Sequence, residues 1–244
     1  MNCTGVNITE MRRNLILAHL PEKELRTICP HLEEVALPFG RVIVDPEQTL
    51  DHAYFIVSGV ASLIVNLADG GSVEVASVGR EALVGAGGLL HLPRELHTTL
   101  IQAEGIAYKI STPRLQKLFN DCRFLREAIL RNLYVQASQM AQTAACNRVH
   151  EVEQRLARWL LILQDLVGGD KLVLTHEFLA IMLGTRRTTV TLAAGLLQKD
   201  GIIEYKRGKV HILDRKRLEA ACCECYGDLR EFLDSIVPAA QNQN

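Results

Sequence analysis

At 244 residues the chain is long enough for two domains, each with its own core. Hydrophobic residues make up 48% and charged residues 23%, the balance of an ordinary globular protein rather than a disordered one. The net charge of -1 excludes the global signature of a basic nucleic-acid tail, and the spacing of the 7 cysteines excludes a disulfide framework.

The N-terminus, MNCTGVNITEMRR, has no apolar stretch before a cleavage site, and the longest apolar run, around Trp159–Leu163, is too short to span a membrane. A cytoplasmic protein with no membrane partner is therefore expected. Residues Met11–Ile28 read as short helices. The period then shifts toward that of strands, in short runs at Val35–Phe39, Val42–Val44, Tyr54–Val57, Ala61–Val65, Val73–Ser77, Thr98–Gln102 and Ala107–Ile110. Turn residues such as Gly40, Gly59, Asp69-Gly70-Gly71 and Gly105 separate them, a pattern that predicts an antiparallel sandwich or jelly roll.

After Pro113 the chain turns helical. Leu130, Leu133, Ala137, Met140 and Ala144 step by three and four, the seam of a coiled coil, and mark a dimer interface. Leu125 and Ile129 begin a second stripe able to pack on the strands. A helix over about 123–147 meets no proline or glycine. Val149–Val167 follows as a second amphipathic helix, broken by Gly168-Gly169-Asp170.

The most informative stretch is Leu174–Leu213, LTHEFLAIMLGTRRTTVTLAAGLLQKDGIIEYKRGKVHIL. Thr175 is placed to cap a helix carrying Phe178, Leu179, Met182 and Leu183, and Gly184 suits the left-handed residue that ends it. Thr185 is expected to cap the next helix, whose apolar positions Val190, Ala193, Ala194 and Leu197 obey helical spacing. Thr188 and Leu192 then fall on the opposite face, flanked by Arg187 and Thr191. Arg187 reaches a guanine edge from the first turn, and Arg186 is better placed for phosphate. A basic hairpin with Lys206, Arg207 and Lys209 at its tip completes the layout of a winged helix-turn-helix, with its wing along the phosphate backbone. Between Arg148 and Arg217 basic residues outnumber acidic ones, as a phosphate-binding face requires.

The expected class is thus α+β: an N-terminal antiparallel β jelly roll over 1–112, a long dimerisation helix over 113–147, a C-terminal winged helix-turn-helix over 148–226 and a tail over 227–244. The DNA-binding candidates are Thr175, Thr185, Arg186, Arg187, Thr188, Thr191, Lys206, Arg207 and Lys209. The alternative is a ligand-binding barrel whose winged domain binds a protein. No phosphate loop, nucleophile elbow or usefully spaced carboxylate pair suggests an enzyme, and Gly87-Gly88 alone means little. Cys222-Cys223-Glu224-Cys225 brings three thiols together, but no second ligand set with zinc-site spacing accompanies them, so no metal is expected and the thiols read as reduced.

Through LPFGRVIVDPEQ, YFIVSGVASLIV, LTHEFLAIMLGTRRTTV and GIIEYKRGKVHILD, the chain resembles the Crp/Fnr family of bacterial transcription regulators over nearly its whole length. The resemblance implies a homodimer that binds a palindromic double-stranded site, contacts RNA polymerase, and is controlled by an effector in the β-barrel. Cyclic-nucleotide receptors of the family use a Gly-Glu pair and an arginine followed by a small or hydroxyl residue. Here the matching run is Val84-Gly85-Ala86-Gly87, and the arginine position falls near His97, followed by Thr98 and Thr99, with Arg94 three residues early. These departures count against a cyclic nucleotide, while Gly85, His97, Thr98 and Thr99 remain the effector-binding candidates. An iron–sulfur cluster needs four cysteines, yet Cys3 and Cys29 stand alone near the N-terminus. No cofactor is expected, although haem through His52, His91 or His97 is left open. Many relatives carry a glutamate where this chain has Thr188, which implies a different half-site.

Overall fold

The computed structural model describes residues 2–3, 6–92 and 94–236. They divide into two compact units, one of the described residues up to 70 and within 74–136, the other of 71–73 and the described residues from 137 on.

The first unit opens with a small ladder, β1 (Asn2–Cys3) against β2 (Val6–Asn7), and short helices α1 (Ile8–Met11), α2 (Leu15–Ala18) and α3 (Glu22–Ile28). Asn14 shows how one polar residue organises this entry. Its Oδ1 accepts from the backbone N–H groups of Ile16 and Leu17, capping α2, while its Nδ2 donates to the carbonyls of Ile56 and Ala82. A fully buried amide is tolerated because its polar atoms are used.

Eight strands follow: β3 (Glu33–Leu37), β4 (Val42–Val44), β5 (His52–Ile56), β6 (Val60–Asn66), β7 (Ser72–Val78), β8 (Leu83–Val84), β9 (Thr98–Ala103) and β10 (Gly105–Ser111). They form two four-stranded sheets, β3-β10-β5-β8 and β4-β9-β6-β7, with antiparallel pairing. All seven runs expected from the sequence are strands; β8 was too short to carry a period of its own. The unit's core gathers Phe55, Leu83, Tyr108 and Ile110 with Leu17, Leu25 and Ile28 from the entry helices.

Helix α4 (Thr112–Asp121) leads into α5 (Arg123–Val149), whose 27 residues extend about 40 Å at 1.5 Å per residue. Leu125 and Ile129 are buried in the first unit's core, as their stripe suggested. Asn132 continues that face, accepting from the Leu83 N–H and donating to the Glu81 carbonyl. On the other side Leu130 is 52% exposed, Ala137 and Ala144 are exposed, and Leu133 and Met140 are half-buried. The division between units falls within α5, at 136/137, and not at the helix ends marked by composition.

In the second unit, α6 (Val152–Val167) starts on a reciprocal capping box between Glu151 and Gln154 and stops at Gly168, whose φ of 74° is left-handed. Then come β11 (Lys171–Val173), α7 (His176–Met182), α8 (Arg187–Lys199), β12 (Ile203–Lys206), β13 (Lys209–Ile212), α9 (Arg215–Ala221) and α10 (Cys225–Ile236). The strands make one antiparallel sheet, β11-β13-β12. Leu156, Trp159, Leu160, Leu179, Val190, Leu197, Val210 and Leu218 are buried among these elements. The expected tail needs correction. Its first residues belong to α10, whose Tyr226 and Leu229 are buried, while 237–244 lie outside the described residues.

Candidate nucleic-acid interface

Local sequence chemistry builds the two-helix element. The Thr175 hydroxyl accepts from the Phe178 N–H at 3.1 Å and caps α7. The chain leaves α7 through Gly184, at φ +56°, a conformation cheap only for glycine. Thr185 does not cap α8, contrary to expectation. Its N–H donates to the Ala180 carbonyl, closing the turn, and Arg186 takes the N-cap position with extended backbone and no side-chain cap. This shift leaves the first helical position to Arg187.

Val190, Ala193, Ala194 and Leu197 are buried, so α8 presents Arg187, Thr188, Thr191 and Leu192 outward. Arg186 is also exposed. Leu192 is 71% exposed on this face. Thr191, expected on the base-reading face, is already engaged. Its hydroxyl donates to the Arg187 carbonyl at 2.9 Å and lies 3.0 Å from His176 Nδ1.

That contact belongs to a lock that motif reading missed. The His176 ring stacks on Tyr205 with centroids 4.3 Å apart. The Tyr205 hydroxyl donates to the Leu174 carbonyl at 2.7 Å, and its N–H donates to Gln198 Oε1 at 2.8 Å. These side chains tie the start of α7, the body of α8 and the wing into one piece. Burial, reinforced by nearby Arg187, holds the His176 imidazole below its ordinary pKa and so keeps it neutral. The alternation of Ile203 and Tyr205 marked a strand but gave no sign that Tyr205 stacks on His176.

The wing turns at Arg207-Gly208, where both residues have positive φ, 49° and 74°. That is the two-residue hairpin turn whose twist matches its strands, in which asparagine or glycine usually takes the place of Arg207. Lys206 and Lys209 pair across the ladder beside it, and all three basic side chains are exposed.

A helix-turn-helix with an exposed arginine-led second helix and a basic two-stranded wing defines a DNA-binding protein of the winged type. The sequence matches the Crp-like helix-turn-helix domain over residues 154–221 and the cyclic nucleotide-binding domain over residues 34–122. A cyclic nucleotide-binding domain followed by a Crp-like helix-turn-helix is the domain order of Crp/Fnr-type transcription regulators. The fold is shared with the c-di-GMP-responsive global regulator CLP of Xanthomonas campestris, at 20% identity and TM-score 0.68, covering 80% of this chain and 100% of that one. A Crp/Fnr-family regulator from Eubacterium rectale matches at 19% identity and TM-score 0.69, covering 84% and 96%. FixK2 from Bradyrhizobium japonicum matches at 16% identity and TM-score 0.67, covering 79% and 98%. No curated protein sequence matches the chain. No helix among the described residues is long and apolar enough to cross a membrane.

In the barrel, the four effector candidates have separate surroundings. Gly85 takes φ +81° with its Cα against β5; a Cβ there would stand 2.7 Å from the His52 carbonyl oxygen, so the fold itself demands this glycine. The Thr98 hydroxyl accepts from Asn66 Nδ2, whereas Thr99 is fully buried with no partner for its hydroxyl among the described residues. His97 lies 3.8 Å from Glu95, and burial lowers its pKa against the pull of that carboxylate. Glu95 also accepts from the Gly87 N–H at 3.1 Å, so an internal carboxylate already occupies the glycine turn. Of the haem candidates, His91 sits beside Gln116 Nε2 and His52 belongs to β5.

The fold brings two further groups, a thiol and an imidazole, to the cysteines that the linear sequence set together. Cys146 and His150, four residues apart at the end of α5, stand against Cys223 and Cys225, and the four ligand atoms lie within 4.8 Å of one another. Cys222 is turned away, its thiol donating to the Glu219 carbonyl.

Proposed function

We propose that the protein is a homodimeric, sequence-specific transcription regulator that reads a palindromic site through α8. The observation that carries this reading is the outward face of α8: Arg187 and Thr188 exposed in its first turn, Leu192 exposed one turn on, above a fully apolar inner face. Arg187 supplies a bidentate donor for guanine and Leu192 a partner for a thymine methyl, while Arg186, Lys206, Arg207 and Lys209 follow the backbone. Thr175, Thr185 and Thr188 offer further hydroxyls to the same strand, and Thr191 serves chiefly to orient α7 on α8. The seam Leu130, Leu133, Ala137, Met140 and Ala144, exposed at Leu130, Ala137 and Ala144 and half-buried at the other two, supports pairing of two copies about α5, which matches a two-fold protein to a two-fold site. Contact with RNA polymerase and residence in the cytoplasm follow from the same reading.

The barrel takes the role of an effector domain that does not use cyclic AMP. Glu95 sets a negative charge against the Gly87 N–H, in the glycine turn that faces the phosphate in the family's nucleotide receptors. Gly85 serves the backbone, and His97, Thr98 and Thr99, at the entry to β9, remain the polar candidates. The responsiveness of CLP to c-di-GMP makes that dinucleotide a second effector to test.

The experiment is selection of the purified full chain against a randomised duplex pool, alone and with cyclic AMP or cyclic di-GMP. An enriched palindrome in the absence of cyclic AMP is expected. Enrichment only with cyclic AMP would overturn the reading of Glu95, and no enrichment in any arm would overturn the assignment of α8.

A further inference from the structure

We propose that Cys146, His150, Cys223 and Cys225 form a mononuclear, zinc-type tetrahedral metal site within the second unit. The ligand set joins two segments far apart in sequence, the C-terminal end of α5 and the link between α9 and α10. The distances suit a single ion. Cys146 Sγ and Cys223 Sγ are 3.6 Å apart, as are Cys225 Sγ and His150 Nδ1. Metal–sulfur bonds of about 2.3 Å and metal–nitrogen bonds of about 2.0–2.1 Å give tetrahedral edges of roughly 3.8 Å between sulfurs and 3.6 Å between sulfur and nitrogen. A disulfide would need its sulfurs at about 2.05 Å, and a four-iron cluster spreads its thiolates over separate irons.

The surroundings are those of a ligand set, and not merely of three packed thiols. His150 turns Nδ1 toward the cluster and Nε2 toward Glu224 Oε1, at 3.2 Å. A carboxylate on the second ring nitrogen fixes the tautomer and leaves the first free to bind a metal. The Gln142 side chain, one helical turn before Cys146, hydrogen-bonds Cys225. Charge points the same way. Three thiolates and a neutral imidazole around a divalent ion carry one net negative charge. Arg155 and Arg158 are both buried and close enough to Cys146 to interact electrostatically with it. Among the described residues their hydrogen bonds go to neutral groups, Asn147 and Leu183 for Arg155 and Thr143 for Arg158, and Arg158 Nε has no partner there. An anionic metal centre gives these buried cations their counter-charge.

With four protein ligands and no open position, such a site is structural: it staples the end of α5 to the segment that enters α10. Soft thiolates select zinc or a similar borderline ion over magnesium or calcium.

The test uses the purified full chain, reduced and stripped of metal, titrated with Co²⁺ and then with Zn²⁺. Intense tetrahedral d–d and thiolate charge-transfer bands should saturate at one ion per chain and bleach on zinc addition. Cys223→Ser should lose the charge-transfer intensity. Cys222→Ser should keep it unchanged. His150→Cys should retain one tetrahedral ion with bands shifted to those of an all-thiolate site, a result that a misfolded variant cannot produce. A pale octahedral spectrum from the wild-type chain, or equal loss in Cys222→Ser and Cys223→Ser, would overturn the proposal.

Discussion

The winged module and the barrel carry their information in different ways. In the winged module the groups that face a ligand stand on one short helix and one hairpin, so neighbours in sequence are neighbours in space. In the barrel the candidate effector residues stand at the turn after β8 and at the start of β9, and the surroundings of each come from strands distant in sequence. Periodicity therefore reads the first region and only outlines the second. Gly85 illustrates the difference. As a motif residue it pointed to an effector, but its neighbour is a backbone carbonyl of β5.

Four substitutions break or sharpen that contrast. Leu130→Glu places a charge on an exposed seam position without disturbing the core, so the monomer should remain folded. Sedimentation should show loss of the dimer, and affinity for a palindrome should fall by roughly 10²–10⁴ as two linked half-site contacts become independent. An unchanged dimer would move the interface elsewhere. Next in size, Arg187→Ala should cost about 1–3 kcal/mol at the selected site and relax one base position. If base preference is unaltered, the outward face of α8 does not read sequence.

In the barrel, Glu95→Gln removes a negative charge from the Gly87 turn while keeping an acceptor for its N–H. Calorimetry should find that cyclic AMP binds the variant roughly tenfold more tightly, since a like charge at about 4 Å costs on the order of 1–4 kcal/mol between water and a protein surface. Unchanged binding would show that the turn does not govern nucleotide access. The smallest effect is expected at the wing. Lys206→Ala should weaken binding to all sequences alike and reduce the salt slope by about 1, measured by titration at several salt concentrations.

Much of the second unit was legible because its signals are local. The Thr175 cap, the break at Gly184 and the stripe from Val190 to Leu197 each follow from residues within one or two turns. The errors lie where a side chain answers to a distant partner. Thr185 looked like a cap by type, but its own N–H closes the turn and the N-cap falls one residue later, at Arg186. Thr191 has the right helical angle for DNA, yet a histidine from α7 holds its hydroxyl. Cys146 and His150 escaped notice because the heptad pattern of α5 drew attention to its apolar seam. Their four-residue spacing, across the last turn of α5 and the residue just beyond it, was a usable signal for a ligand pair. Only the fold, however, shows that Cys223 and Cys225 complete it.

Arg207 sets a limit on how this protein can drift. A non-glycine residue at φ 49° costs about 1 kcal/mol or more, which asparagine or glycine in its place would largely recover. The residue that strains the hairpin is also the cation at its tip. A library randomised at this position and sorted only for heat resistance should therefore settle on Asn or Gly, whereas the same library sorted for retention on DNA should return to Arg. If both sorts choose the same residue, stability and binding are not in competition at position 207.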